Sequence, residues 1–168
     1  FVAECIHPGS RVLFQTEGGV IGALRGGGAD AERGAPCASA PAHEVIDTVI
    51  LGGQQVSERG DLAVFSSPTK VGPSSEHVQE LLSRARRVVV LLEHTGRDGN
   101  LRVLRACELP VLRRGVVHRI ISDVAVIDVT AGGLFLREVA AGTSAREVQE
   151  RSEPLLKADQ EIVELVWS

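Results

Sequence analysis

Apolar positions along this chain come in short blocks, and their spacing changes from one block to the next. Val88-Val-Val-Leu-Leu92 is an unbroken apolar run led by β-branched residues, the pattern of a strand buried on both faces. Val124–Val129 is a second such run, and Ile46–Leu51 a third, ended by Gly52-Gly53. Arg11–Thr16 carries Val12, Leu13 and Phe14 and stops at Glu17-Gly18-Gly19, a glycine-marked strand end. Shorter strands are expected at Gly60–Phe65 and at Leu134–Val139, and Glu161–Trp167 forms a tail with alternating apolar residues. Between these blocks the period lengthens. Val78, Leu81, Leu82 and Ala85 share one face of a helix predicted over Glu76–Arg86 and capped by Ser74 or Ser75. Arg84, Arg86 and Arg87 would then lie in its last turn, where cations oppose the helix dipole favourably. Thr143 or Ser144 caps a last helix, with Ser144-x-x-Glu147 as a capping box. Strands separated by helical patterns predict an α/β fold. We expect an open, mainly parallel sheet of Arg11–Thr16, Ile46–Leu51, Val88–Leu92 and Val124–Val129, with helices on both faces.

The remaining segments read as punctuation. Pro8-Gly9-Ser10 and Asp98-Gly99 are turns, and Ser66 to Pro73 is loop. Leu24 to Ala42, with Gly26-Gly-Gly28, Gly34-Ala-Pro36 and Ala40-Pro-Ala42, has few large apolar residues to bury and reads as loop. The 168 residues suit a single domain spanning 1–168. A net charge of −4 with interspersed signs does not point to a nucleic-acid binder. Three cysteines, Cys5, Cys37 and Cys107, with no C-x-x-C pair, point to reduced thiols in a cytoplasmic setting rather than a disulfide framework. In a eukaryote the matching compartment would be the mitochondrial matrix. No apolar run approaches the roughly 20 residues that span a bilayer. The chain starts at Phe1 and contains no Met, so it reads as a fragment or a processed product.

Several longer words occur in a fixed order: "VVVLLEHTGRDGN", then Cys107-Glu-Leu-Pro110, then "GVVHRIISDVAVIDVT" up to Thr130. This stretch resembles the B (beta) subunit of class I CoA-transferases, the 3-oxoacid (succinyl-CoA:3-ketoacid) family, whose members read "E-H-x-x-x-D-G…C-x-L-P…G-V-V-x-R-I-I-T-D-x-A-V-F-D-V". Gly52-Gly53-Gln54-Gln55-Val56-Ser57 resembles the family's "L-G-A/G-x-Q-V-S", and Gly60-Asp-Leu-Ala63 its "G-D/N-L-A".

The resemblance implies chemistry that the patterning does not. Thr16-Glu17-Gly18-Gly19 lines up with a family word, "S-E-N-G", whose glutamate is a nucleophile. Glu17 would attack an acyl-CoA thioester to give an acyl-glutamyl anhydride, and returning CoA would form a glutamyl-CoA thioester. A carboxylate suits this work because it is ionised at neutral pH and its anhydride lies close in energy to a thioester. Gly18, Gly52, Gly53, Gln55, Lys70 and Gly72 would bind substrate. Coenzyme A is a substrate in this scheme, no resident cofactor or metal is expected, and a CoA-transferase A subunit or domain is the expected partner in a hetero-oligomer. The chain departs from the family at three places. The "N-A-G-K" word between the nucleophile and the next strand is missing, Gly72-Pro-Ser-Ser-Glu-His77 replaces "G-M-G-G-A-M-D", and the first Gly-rich turn is absent. A second reading is therefore a non-catalytic scaffold or partner subunit that has lost CoA binding. Of the remaining reactive side chains, His94 reads as a hydrogen-bonded histidine at a strand end, Cys107 as a core thiol, and His118 has no assigned role. Gly26–Gly28 lacks the Lys-Ser/Thr of a phosphate loop.

Overall fold

The structure, a computed structural model, describes residues 11–16, 19–25, 46–64 and 75–165. The readings of the segments before Arg11, of 26–42 and of 66–73 lie outside these residues, as does Trp167. The chain divides into two compact units, Phe1–Gly52 with Ser66–Val89, and Gly53–Phe65 with Val90–Ser168.

The first unit holds β1 (Arg11–Thr16), β2 (Gly19–Arg25), β3 (Ile46–Gly52), α1 (Ser75–Arg84) and most of β6 (Ala85–Leu92), whose last residues belong to the second unit. Its strand order is β6-β3-β1-β2. β1 and β3 run parallel, with Val12 beside Thr48 and Gln15 beside Leu51. β2 pairs antiparallel with β1, and the register slips between Phe14 and Gln15. The glycines in Gly19-Val-Ile-Gly22 hid β2 from the pattern, so Leu24 and Arg25, read as loop, are strand residues instead.

Helix α1 buries Val78, Leu81 and Leu82 as its spacing predicts, and it lies against β3. It ends two residues earlier than expected. Ala85 and the Arg86-Arg87 pair open β6, and only Arg84 stays in the last helical turn, 3.8 Å from Glu80. The β-branched run Val88–Val90 is completely buried, and its ladder draws the preceding residues into strand. Arg86 then reaches Asp47 on β3 at 3.5 Å.

The second unit contains a small sheet and a larger one. β4 (Gln55–Ser57), β5 (Leu62–Ala63), β7 (Val103–Leu104) and β8 (Val111–Arg113) form the small sheet in the order β7-β4-β5-β8. Of the strand expected over Gly60–Phe65, the described residues 60–64 form only β5. Gly60 has φ 80° and its backbone turns, while the Ser57 Oγ accepts from the amides of Arg59 and Asp61. The larger sheet runs β12-β11-β10-β9-β6, from β12 (Leu156–Leu165) through β11 (Gly133–Ala140), β10 (Ala125–Thr130) and β9 (Arg119–Ser122). β9, β10 and β11 form an antiparallel meander, and α2 (Ala145–Glu150) carries the chain over to β12, parallel to β11. The α/β class stands, with parallel pairing at β1–β3 and β11–β12; the Val124–Val129 block lies between antiparallel neighbours. Ile120, Ile127, Leu134, Leu136 and Val148 form the core of this unit. The capping box is formed: Ser144 accepts from the Glu147 amide, and Glu147 accepts from the Ser144 amide at 2.7 Å. Among the described residues no helix is long and apolar enough to cross a membrane.

Candidate functional site

The strongest candidate location is the edge where β1 and β3 end. Parallel strands bring their carboxyl ends to one edge, and open α/β sheets bind ligands there. The pairing of Gln15 with Leu51 places Thr16 and Gly52 at that edge together. Thr16 and Gly19 also face each other across the β1–β2 ladder. Glu17 and Gly18, between them in sequence, lie outside the described residues, as do Lys70 and Gly72. Gly52 is exposed, and among the described residues a Cβ on it would meet nothing within 4 Å.

Gly53 and Gln55 perform structural work in the second unit. The Gly53 amide donates to the Leu91 carbonyl at 2.9 Å, and a Cβ there would sit 2.4 Å from Val90 Cγ1 and 3.1 Å from Leu62 Cδ1. Only glycine lets the backbone come this close to β6. Gln55 is 3 % exposed, and its Oε1 accepts from the amides of both Glu108 and Leu109 at 2.9 Å. Its side chain thus holds Cys107-Glu-Leu-Pro110 onto β4. A similar tie joins Gly60-Asp-Leu-Ala63 to Gly115-Val-Val117. The Gly60 carbonyl accepts from Val116 and Val117 at 3.0 Å, and Asp61 Oδ1 accepts from Gly115 at 3.0 Å. Words far apart in sequence are therefore partners in space.

Among the described residues His94 is the most deeply placed titratable group. It follows β6, is 0 % exposed, and has both ring nitrogens on hydroxyls: Nδ1 is 3.0 Å from Ser122 Oγ and Nε2 2.8 Å from Ser152 Oγ. The Ser152 hydroxyl donates to the Val148 carbonyl at 2.8 Å, leaving its oxygen to accept from Nε2–H. The Ser122 hydroxyl is shared between Nδ1 and the Ala125 carbonyl at 3.2 Å. Burial lowers the imidazole pKa to about 4 from its ordinary 6.5; Asp123 opposes that shift and Arg151 reinforces it. The ring is neutral at physiological pH. It is a hydrogen-bonded histidine, as the sequence indicates. Cys107 is half-buried, its thiol set toward the Asp61 carbonyl at 3.6 Å and held above its usual pKa by burial and by Asp61. His118 is exposed.

Two charged groups were not apparent from sequence. Asp123 Oδ1 accepts from the His94 amide at 2.7 Å. Asp128, on β10, bonds Arg119 of β9 at 2.6 Å and Arg137 of β11 at 2.9 Å. Burial would raise the Asp128 pKa, but its hydrogen bonds and ion pairs to Arg119 and then Arg137 outweigh burial and hold the carboxyl below its ordinary range. The available signal was the occurrence of Arg119, Asp123 and Asp128 inside otherwise apolar words. Among the described residues no cluster of three or more His, Cys, Asp or Glu is placed to hold a metal ion.

A family model described as Coenzyme A transferase matches residues 27–150. The B-type subunit of a probable succinyl-CoA:3-ketoacid coenzyme A transferase of Bacillus subtilis (strain 168) is 38% identical over 118 residues, 70% of this chain and 55% of that protein. The beta chain of a probable coenzyme A transferase of the same organism is 31% identical over 179 residues, covering 94% of this chain and 82% of that one. The chain spans about half the length of the B-type relatives it matches in Bacillus subtilis and Helicobacter pylori, 55% and 52%. Among solved structures, the apoenzyme of an acyl-CoA transferase (YdiF) from Escherichia coli O157:H7 superposes with a TM-score of 0.68 at 14% identity, over 98% of this chain and 42% of that one. The decarboxylase AibA/AibB superposes with a TM-score of 0.59 at 18% identity, over 97% and 84%. At such identities these two structures speak for the fold alone, and one fold here carries two kinds of reaction.

Proposed function

The chain belongs to the coenzyme A transferase family, and on that footing we propose that it is the B-type part of an enzyme moving CoA between an acyl-CoA and a carboxylic (3-oxo) acid. The carrying observation is the 38% identity to a B-type relative, joined to the shared parallel strand end at Thr16 and Gly52, beside Glu17 in sequence. In this reading the Glu17 carboxylate attacks the thioester carbonyl and expels CoA as thiolate, leaving an acyl-glutamyl anhydride. The thiolate returns to the glutamyl carbonyl and releases the first carboxylate, so that CoA is held as a thioester of Glu17. The acceptor carboxylate then attacks that thioester, and the same steps run in reverse to pass CoA on. Gly18, Gly52, Lys70 and Gly72 are the substrate contacts in this scheme. Gly53 and Gln55 act through the backbone they hold. Coenzyme A enters as substrate, a companion A-type subunit completes the enzyme, and the setting is a reducing, cytosol-like compartment.

The test uses the complete two-subunit assembly. Incubation with an acyl-CoA should leave CoA linked to Glu17, borohydride should reduce that ester, and peptide mapping should place the modification within 11–25. Glu17→Gln keeps the size of the side chain but forms no anhydride, and should abolish exchange. Glu17→Asp should also fail, because removing one methylene withdraws the nucleophile by about an ångström from attack geometry. Undiminished exchange by Glu17→Gln would remove Glu17 from the mechanism. A well-folded assembly that forms no adduct and transfers no CoA would favour the non-catalytic scaffold, the reading to which the replaced 72–77 word points.

A further inference from the structure

His94 joins three elements of the second unit at one buried point. Its backbone amide is bonded to Asp123 on the β9–β10 turn, Nδ1 meets Ser122 at the end of β9, and Nε2 meets Ser152 just beyond α2. Helix α2 itself is only six residues long, and Val148 is its one buried residue. Gln149 clasps the following segment, with Oε1 accepting from the Leu156 amide at 2.8 Å and Nε2 donating to the Pro154 carbonyl at 3.0 Å. We propose that His94 is an acid-sensitive latch: protonation of its ring releases α2 while the antiparallel sheet β9–β10–β11 stays formed.

The direction of release follows from the charges around the ring. At Ser152 hydrogen bonding does not oppose protonation, because the hydroxyl proton goes to the Val148 carbonyl and the oxygen accepts from Nε2. At Ser122 it adds to the opposition, because Oγ already accepts from the amides of Val124 and Ala125 at 3.3 and 3.0 Å and has its proton, not a lone pair, to offer Nδ1. The main opposition is the burial of the ring away from water, and the nearby charges decide which element gives way. Asp123, on the sheet side, attracts an imidazolium, and Arg151, the C-cap residue of α2, repels it. Glu93, next to the ring in sequence, is exposed and lies 3.9 Å from Arg97, and the Arg102 guanidinium is taken up by Asp98 at 3.2 Å. A buried cation with its counter-charge on the sheet and a like charge on the helix is relieved by moving the helix. With the closed ring titrating at about 4 and an open one at its ordinary 6.5, the open form should be about 30-fold more populated at pH 5 than at pH 7.5.

Hydrogen exchange of the intact protein, corrected for the intrinsic pH dependence of exchange, reads this directly. Peptides covering 141–156 should lose protection between pH 7.5 and 5 and further down to pH 3.5, below the titration of the closed ring, where the two charges bear on the loss, while peptides covering 117–130 keep theirs. Arg151→Gln, at an exposed position, removes the repelling charge and should shrink the acid-induced loss. Asp123→Asn keeps the acceptor for the His94 amide, removes the attracting charge, and should enlarge the loss. Equal loss in both peptides, or profiles of the two variants that superpose on that of the natural protein, would overturn the latch.

Discussion

Gly53 and Gln55 lie two residues apart, and each shows what one side chain decides. At Gly53 an added methyl group would be forced against Val90 and Leu62 inside the second unit. Gly53→Ala should destabilise the protein by about 1–3 kcal/mol, the usual scale of overpacking, and urea unfolding would show it as a lower midpoint. At Gln55 the effect has the opposite origin. Gln55→Leu fills the same space but removes the acceptor for two amides, and leaving buried donors unpaired costs about 1–3 kcal/mol. Ready exchange of the Glu108 and Leu109 amides in Gln55→Leu would confirm the cause; unchanged protection would refute it. The sequence marked both residues as part of one word and read them as substrate contacts. It could not show where the Gln55 oxygen points, because its two partners lie more than fifty positions away.

At the scale of elements, local chemistry was legible where it is self-contained. The capping box at Ser144 needs only residues within one turn, and the structure forms it as expected. Ser144→Ala should therefore cost about 1 kcal/mol, measured by urea unfolding, with the loss of protection confined to the first turn of α2. Boundaries between elements were less legible. The helical stripe through Val78, Leu81 and Leu82 extends naturally to Ala85, yet α1 stops at Arg84 because β6 claims the next residue. β2 was missed because its glycines break the alternation, and it exists through its pairing with β1. Gly60 was placed in a strand by its apolar neighbours, and its turn is stabilised by Ser57 and by Val116 and Val117. In each case a ladder or a distant amide outweighed local propensity.

At the scale of the whole molecule, two ionisable groups among the described residues, buried His94 and half-buried Asp128, shape the response to pH. Unfolded, His94 takes up a proton below about pH 6.5; folded, it does so only near 4. Between these values the unfolded chain binds more protons, so stability should fall as the pH is lowered, by about 3 kcal/mol in total. Asp128 acts at lower pH. Its folded pKa is held below the ordinary 3.8, so its contribution is complete above that value and disappears as pH falls through the folded one. Urea titrations at stepped pH should show both phases, and Asp128→Asn should flatten the second alone; a flat profile from pH 7 to 4 would contradict the burial of His94. The sequence by itself determined the α/β class, the blocks that become β1, β3, β6 and β10, the stripe of α1, the cap of α2 and the family words. Those features depend on periodicity and on interactions between near neighbours, which a linear pattern records. Only the tertiary structure decided that Gln55 grips the 107–110 segment, that His94 lies between two serines, and that Asp128 is held by arginines from both flanking strands. Each of these needs a donor and an acceptor brought together by strand order and burial, and neither is written in the spacing of residues along the chain.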